Sequence, residues 1–464
     1  MTMATVPPHI FREYDIRGVI GTDLSEEMAY ALGKAYGFSV ASAPGSPIVV
    51  GYDCRPTSRL YAQSLVRGLR ESGRDVVKIG MVPTPVVYWA INRLKAAGGI
   101  QVTGSHNPAD NNGFKMCIGN EPMPAATIQA LRPLCDRALA GELPQTQQPG
   151  SETSFDALTP YIAEIVDNVR PHLGQRKLKV VVDAGNGVAG ILGVPVLKAL
   201  GMDVVEIFCE PDGTFPNHHP DPTLPENVES LAGEIKKHGA DFGIGWDGDG
   251  DRIVVLDENG RAFPGDFLLL ALGRALLASK PGATIVADVK CSQVLFDDLA
   301  KRGARVVMCK SGHSSIKQKL KELKADIAGE LSGHICYGDR FHGFDCAVYD
   351  TARFVEIMSN TTGPCSSLMN GIPELFSTKE DRFDCPDDRK FEVVARAVKR
   401  FSGHDCSLID GIRVTMPDGW ILLRASNTQP VLVSRVEANT PATLEQYKTM
   451  LSETLRAIDA EFAA

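Results

Sequence analysis

The chain of 464 residues has no apolar run of about 18 residues, no Cys-x-x-Cys pair and no excess of positive charge. Each absence closes a class of function. Without a long apolar run no membrane-spanning helix is expected, so the chain reads as having no membrane partner. The start, Met1 to His9, has neither a basic region nor an apolar stretch, and no targeting segment is expected. The 11 cysteines are odd in number and scattered, which suits reduced thiols in the cytoplasm rather than a disulfide framework. A net charge of -9 argues against general nucleic-acid binding. It does not argue against a phosphorylated ligand, because local amide nests and a few Arg or Lys hold phosphate whatever the global sign.

What is present is ordinary in bulk and repetitive in detail. Apolar content of 44% and charged content of 23% fit globular protein, and the length calls for three or four domains. One pattern recurs three times. The first copy reads I-V-V-G-Y-D at 48–53, D-V-V-K-I-G at 75–80 and G-G-I-Q-V at 98–102, then T-G-S-H-N-P. The second reads K-V-V-V-D at 179–183, D-V-V-E-I-F at 203–208 and D-F-G-I-G at 241–245, then W-D-G-D-G-D-R. The third reads T-I-V-A-D at 284–288, A-R-V-V-M-C at 304–309 and D-I-A-G at 326–329, then E-L-S-G-H. Such β-branched runs, alternating with helical patterns at Ser58–Ser72, Val228–His238 and Phe267–Ala278, predict an α/β fold of three similar domains. The terminal loops then occupy equivalent places and serve one cleft. After about residue 370 the pattern changes to a smaller, non-repeated α+β unit. Its helix is expected at Lys390–Phe401, and its strands flank a turn at Pro417–Gly419. The expected domains are 1–150, 151–258, 259–370 and 371–464.

The terminal loops carry the chemistry. Asp247, Asp249 and Asp251 alternate with glycines, so three carboxylates project from one tight turn and call for a cation. The competing reading is a solvated acidic turn. An EF-hand fails because its sixth position, which needs Gly, is Arg252, and the strand pattern at 253–256 carries Glu258 away. Ser105, followed by His106, reads equally as an exposed nucleophile or as a capping turn residue. Position 107 is Asn, so this is not a G-x-S-x-G elbow, and a seryl group that accepts phosphoryl beside Mg²⁺ needs no triad. Glu330 and Ser332, two residues apart on an extended segment, would face one way and bracket vicinal sugar hydroxyls, the alternative being a plain surface loop with a satisfied His334. Arg424, Ser426, Asn427 and Thr428 in R-A-S-N-T-Q-P combine into a dianion cradle or, more simply, a capped turn. Lys290 and Lys310 lie just past strand ends, where α/β sites gather.

Five motifs stand in order: F-R-E-Y-D-I-R-G, T-G-S-H-N-P, D-G-D-G-D-R, G-E-L-S-G-H and R-x-S-N-T-x-P. Together they resemble the α-D-phosphohexomutases, bacterial phosphomannomutase/phosphoglucomutase branch, over essentially the whole chain. The resemblance implies four domains around a central cleft and a phosphoserine at Ser105. Mg²⁺ would be held by that group with Asp247, Asp249 and Asp251. Hexose 1- and 6-phosphates of mannose and glucose would interconvert through a 1,6-bisphosphate, with glucose 1,6-bisphosphate as activator. It further implies that Arg17, Lys115, His106 and Arg252 serve the chemistry, Lys115 as a candidate proton acceptor. Glu330 and Ser332 would hold the sugar, with His334 nearby. Tyr14, Lys290 and His313 would line the ligand site, and Arg424, Ser426, Asn427 and Thr428 would hold the idle phosphate. Leu331 stands where Met is usual, and Cys346 with Ala347 where an Asp-Gly pair is expected. The rival readings are a phosphoglucosamine mutase, a phosphatase and an idle phosphosugar-binding sensor. The partners expected are small phosphosugars, with the chain a monomer or a dimer.

Overall fold

Three sheets repeat one pairing. The computed structural model describes residues 5–40, 46–144, 146–426 and 429–463. In the first sheet Ile48–Tyr52 lies between Val76–Met81 and Gly98–Val102, all parallel. In the second, Lys179–Asp183 lies between Asp203–Ile207 and Phe242–Trp246. In the third, Thr284–Asp288 lies between Arg305–Cys309 and Ile327–Gly329. The order second, first, third is thus kept in every copy, and each chemistry-bearing loop leaves the third strand beside the central one. Buried on both faces, the central and third strands are mostly Val, Ile, Ala and Gly, as suits parallel strands between helices.

In two copies the loop then closes an antiparallel hairpin. Asn111–Ile118 returns along Gly98–Val102, pairing Val102 with Phe114. Likewise Ile253–Asp257 returns along Phe242–Trp246, with Trp246 opposite Ile253. The T-G-S-H-N-P and D-G-D-G-D-R loops are therefore each pinned at both ends by a sheet. The helices expected from periodicity are found at Ser58–Glu71, Glu229–His238, Gly265–Ser279 and Lys390–Arg400. The C-terminal part is an antiparallel sheet built on Ile412–Met416, Gly419–Ala425 and Val431–Ala438, followed by the helix Pro441–Ala463.

The chain divides into two compact units. The first runs through Pro264 and takes up Ser332–Ser367; the second comprises Gly265–Leu331 and Leu368–Ala464. The division passes through the E-L-S-G-H motif, between Leu331 and Ser332. Within the second unit the C-terminal sheet grips the segment after Thr284–Asp288. Arg413 donates to the carbonyls of Val289 (2.6 Å) and Cys291 (2.8 Å) while its guanidinium lies 3.9 Å from the Trp420 ring. Arg435 donates to the Lys290 carbonyl at 2.8 Å, and Glu437 accepts from the Ser292 hydroxyl (3.0 Å) and the Trp420 indole (2.8 Å). This buried polar network fixes the backbone that carries Lys290. Among the described residues no helix is long and apolar enough to cross a membrane.

Candidate active site

In the first unit the serine loop and the acidic loop meet. Ser105, 1% exposed and held at φ +50°, donates from Oγ to Asp247 Oδ2 at 3.1 Å and lies 3.1 Å from His106 Nδ1. The left-handed backbone is costly for a serine and is offset by the bonds around it. Asp247 shapes its own loop: Oδ1 accepts the amides of Gly250, Asp251 and Arg252 at 3.0–3.1 Å, which leaves Oδ2 facing Ser105. Asp249 accepts from the Thr84 hydroxyl (2.5 Å), and Lys115 bridges Asp249 Oδ2 (2.6 Å) and Asp251 Oδ2 (2.5 Å). The two loops touch closely enough that a Cβ on Gly248 would lie 2.5 Å from the Ser105 carbonyl oxygen.

The electrostatics ask for a cation. All three aspartates are 0% exposed and their ligand oxygens lie within 4.8 Å of one another. Among the described residues, Asp249 Oδ1 and Asp251 Oδ1 are buried without a hydrogen-bond partner. Burial, then Asp251 and Asp249, pushes the Asp247 carboxyl well above the usual range. Burial opposes ionisation of Asp249 too, but Lys115 outweighs it and holds that carboxyl below its usual value. Lys115 is raised in turn, because Asp249 and Asp251 outweigh burial. One ammonium does not neutralise three buried carboxylates, and their hard oxygens fit a magnesium ion. Burial, with Arg252, Arg17 and Lys115 around it, keeps His106 neutral by pushing its pKa well below the ordinary value.

Around this core, Arg17 donates to Asp15 (2.7 Å) and to the Asn107 side chain (2.9 Å). Arg252 Nε donates to His334 Nε2 at 3.0 Å, and His334 Nδ1 lies 3.1 Å from Asp345 and 3.6 Å from Asp251. Both ring nitrogens of the buried His334 thus face protein partners. Tyr14 is half-buried in the bend before Ile16–Val19. Glu258 is occupied elsewhere, accepting the amide (3.0 Å) and hydroxyl (2.5 Å) of Ser366, in keeping with the rejected EF-hand.

The second unit holds several of the residues expected to contact a ligand. Lys290 Nζ lies 2.7 Å from Glu380 and 3.8 Å from Asp288. Glu330 accepts the Gly312 amide, next to His313, which opens the helix His313–Leu323. Arg424 Nε donates to Asp410 Oδ2 at 2.8 Å, and the same oxygen accepts the Ser311 amide at 3.1 Å. Ser426 Oγ accepts the Gln429 amide at 3.2 Å. Asn427 and Thr428 lie outside the described residues. Lys310 is exposed.

One expectation needs correction. Glu330 and Ser332 do not share an extended segment: residues 331–333 turn, with Gly333 at φ +87°, and the two side chains belong to different units. The turn is forced by the Gly333 carbonyl, which accepts the Ile253 amide at 3.1 Å. The departure at Cys346 is a helix cap, its sulfur accepting the Tyr349 amide (3.4 Å) and the Tyr161 hydroxyl (3.1 Å) at the start of Ala347–Ser359. Ala347 then begins that helix.

Several site residues were not singled out from sequence, though one signal for them was there: each central strand ends in Asp or is followed directly by one. Asp53 accepts from Ser58 (2.5 Å), Thr103 (2.7 Å) and the Gly104 amide (3.3 Å), so it secures the serine loop. Asp288 accepts from the Ser311 hydroxyl (2.8 Å) and the Leu331 amide (3.4 Å), so it secures the start of the E-L-S-G-H loop. Asp183 accepts the Gly185 amide at 2.8 Å and pairs with His218 at 3.1 Å. Asp345, Glu380 and Asp410 had no such signal.

Comparison with known proteins identifies the family. Residues 8–138, 159–260 and 264–376 match phosphoglucomutase/phosphomannomutase alpha/beta/alpha domains I, II and III, and 380–454 match the C-terminal domain. The phosphomannomutase/phosphoglucomutase of Pseudomonas aeruginosa is 42% identical over 460 residues, 98% of this chain and 97% of that protein. The phosphoglucomutase of Neisseria gonorrhoeae is 38% identical, covering 96% of each. A crystal structure of a phosphoglucomutase/phosphomannomutase family protein from Burkholderia thailandensis matches with a TM-score of 0.90 at 38% identity, over 98% of both chains. With all four domains matched in order, the chain belongs to the phosphoglucomutase/phosphomannomutase family.

Proposed function

We propose that this chain is a magnesium-dependent phosphohexomutase that interconverts the 1- and 6-phosphates of mannose and glucose through a phosphoserine at Ser105 and a hexose 1,6-bisphosphate. The observation that carries the reading is the 3.1 Å contact between the Ser105 hydroxyl and Asp247 at the head of three buried carboxylates. Asp247, Asp249, Asp251 and the phosphorylated serine would hold magnesium, which supplies charge neutralisation for phosphoryl transfer. In the forward half-reaction the bond from phosphorus to Ser105 Oγ breaks, a new one forms to the free hydroxyl of the hexose monophosphate, and that hydroxyl gives up its proton. The bisphosphate then returns its other phosphoryl group to Ser105.

The chain's own residues divide this work. Neutral His106, 3.1 Å from Ser105 Oγ, is poised to exchange the seryl proton once the phosphoryl group has left. Lys115, held charged between Asp249 and Asp251, serves as donor and counter-charge in this arrangement rather than as proton acceptor. Arg17 and Arg252 add positive charge to the phosphoryl site, Arg252 steadied by His334. In the second unit Arg424 and Ser426, with Asn427 and Thr428, would bind the idle phosphate, while Glu330, Lys290 and His313 would read the sugar; Ser332 and Tyr14 are the ligand-binding candidates of the first unit.

Phosphorus NMR tests this. Mannose, glucose and glucosamine 1-phosphates are each supplied with Mg²⁺ and a trace of glucose 1,6-bisphosphate, the expected activator. Signals of 6-phosphates from mannose and glucose are expected. A dominant amino-sugar product makes the chain a phosphoglucosamine mutase, inorganic phosphate alone makes it a phosphatase, and silence with every sugar removes the mutase reading.

A further inference from the structure

We propose that Arg55, assigned to no step above, is the positioning residue that sets the reacting face of the Ser105 loop. The proposal deepens the phosphoserine reading and rests on it. Arg55 follows the first central strand and is fully buried, its side chain 0% exposed. Its Nη1 donates to the carbonyls of Pro108 (2.6 Å) and Asn111 (2.8 Å), and its Nη2 to those of Ser105 (2.8 Å) and Asn107 (2.6 Å). Four terminal hydrogens meet four loop carbonyls, so neither Nη1 nor Nη2 has a hydrogen left for a phosphate. Its Nε rests 3.3 Å from Asp53 Oδ2 as an ion pair, and the Phe215 ring lies 4.9 Å from Cζ.

The consequence is directional. With the carbonyls of residues 105, 107, 108 and 111 drawn to one side, the Ser105 hydroxyl is left on the other, toward Asp247. The same grip holds Ser105 at φ +50°, where a serine does not stay unaided. Gly104 is part of the fit: a Cβ there would lie 2.6 Å from Arg55 Cζ. Lysine, with three hydrogens on one nitrogen, does not span four carbonyls.

The test compares wild type and Arg55→Lys for kcat, KM, Mg²⁺ requirement, Ser105 phosphorylation by glucose 1,6-bisphosphate, and amide hydrogen exchange. Expected for Arg55→Lys is a kcat about 100-fold lower, as a misplaced nucleophile gives. KM and the Mg²⁺ requirement stay near wild type, and serine phosphorylation slows in step with kcat. Exchange at residues 104–111 speeds up about tenfold, the worth of one lost bond. An unchanged kcat overturns the proposal, as does a joint collapse of kcat, KM, Mg²⁺ use and thermal midpoint, which marks a residue needed for folding alone. Should Arg55→Lys fail to fold, Gly104→Ala, which displaces the guanidinium without removing it, is read by the same criteria. A wild type without turnover removes the mutase reading, and the exchange comparison still decides whether Arg55 orders the loop.

Discussion

Asp410 binds Arg424 and the amide of Ser311 through one carboxylate oxygen, at 2.8 and 3.1 Å. The guanidinium expected to hold the idle phosphate is thereby aimed through Nε, and its aim is shared with the loop whose next amide, Gly312, binds Glu330. Asp410→Ala is expected to raise KM for both sugar 1-phosphates about tenfold or more, the effect of one charge-assisted bond, with a smaller change in kcat. Steady-state kinetics decide it: an unaltered KM would show that Arg424 needs no such support.

Lys115 between Asp249 and Asp251 is the counter-charge of the cation-free protein. Removing one partner of a buried ionic cluster costs about 3–5 kcal/mol. Lys115→Met is therefore expected to lower the thermal midpoint strongly in chelator and much less in excess Mg²⁺. Calorimetry under the two conditions checks this, and equal losses contradict the assigned metal loop.

Glu380, 27% exposed, pairs with Lys290 at 2.7 Å. Lys290 first, against opposing burial, holds the Glu380 carboxyl down at about 2. A depressed carboxyl stabilises the fold above its unfolded value of 4.5, and that contribution disappears as pH falls from 4.5 toward 2. Discounted for exposure, it amounts to about 2 kcal/mol at neutral pH. Denaturant unfolding of wild type and Glu380→Gln is expected to differ by this much at pH 7 and to converge in acid; a gap that persists in acid refutes the linkage.

Ser105→Ala keeps the carboxylate loop and the proposed recognition residues but removes the proposed phosphoryl acceptor. Turnover is expected to fall by more than about a thousandfold while glucose 1-phosphate still binds. Calorimetric titration alongside the NMR assay measures both, and residual full turnover would show a different acceptor.

The architecture was largely legible because it repeats. Three strands per copy, of which the central and third are buried on both faces and the second is more exposed, leave little freedom about which strand is central. The acidic loop was legible for a similar local reason, since three carboxylates in six residues have few uses. Arg55 was not, because its worth lies in carbonyls that are 50 or more residues away in sequence and have no side-chain signature. Nor was the turn that parts Glu330 from Ser332, which follows from a backbone bond between Gly333 and Ile253. Asp345 and Asp410 escaped notice because a carboxylate that steers another side chain looks, in one dimension, like any surface acid.

Asp247 spends one oxygen on three amides of its own loop. The turn is therefore closed by protein alone, unlike a loop that folds around its ion. Chelation should strip the metal without unravelling the seat, and reloading should be as fast as magnesium sheds its water. In the proposed magnesium enzyme the cation would be exchangeable for manganese or cobalt with the same turn beneath it, so that replacement metals would report on charge and radius rather than on refolding.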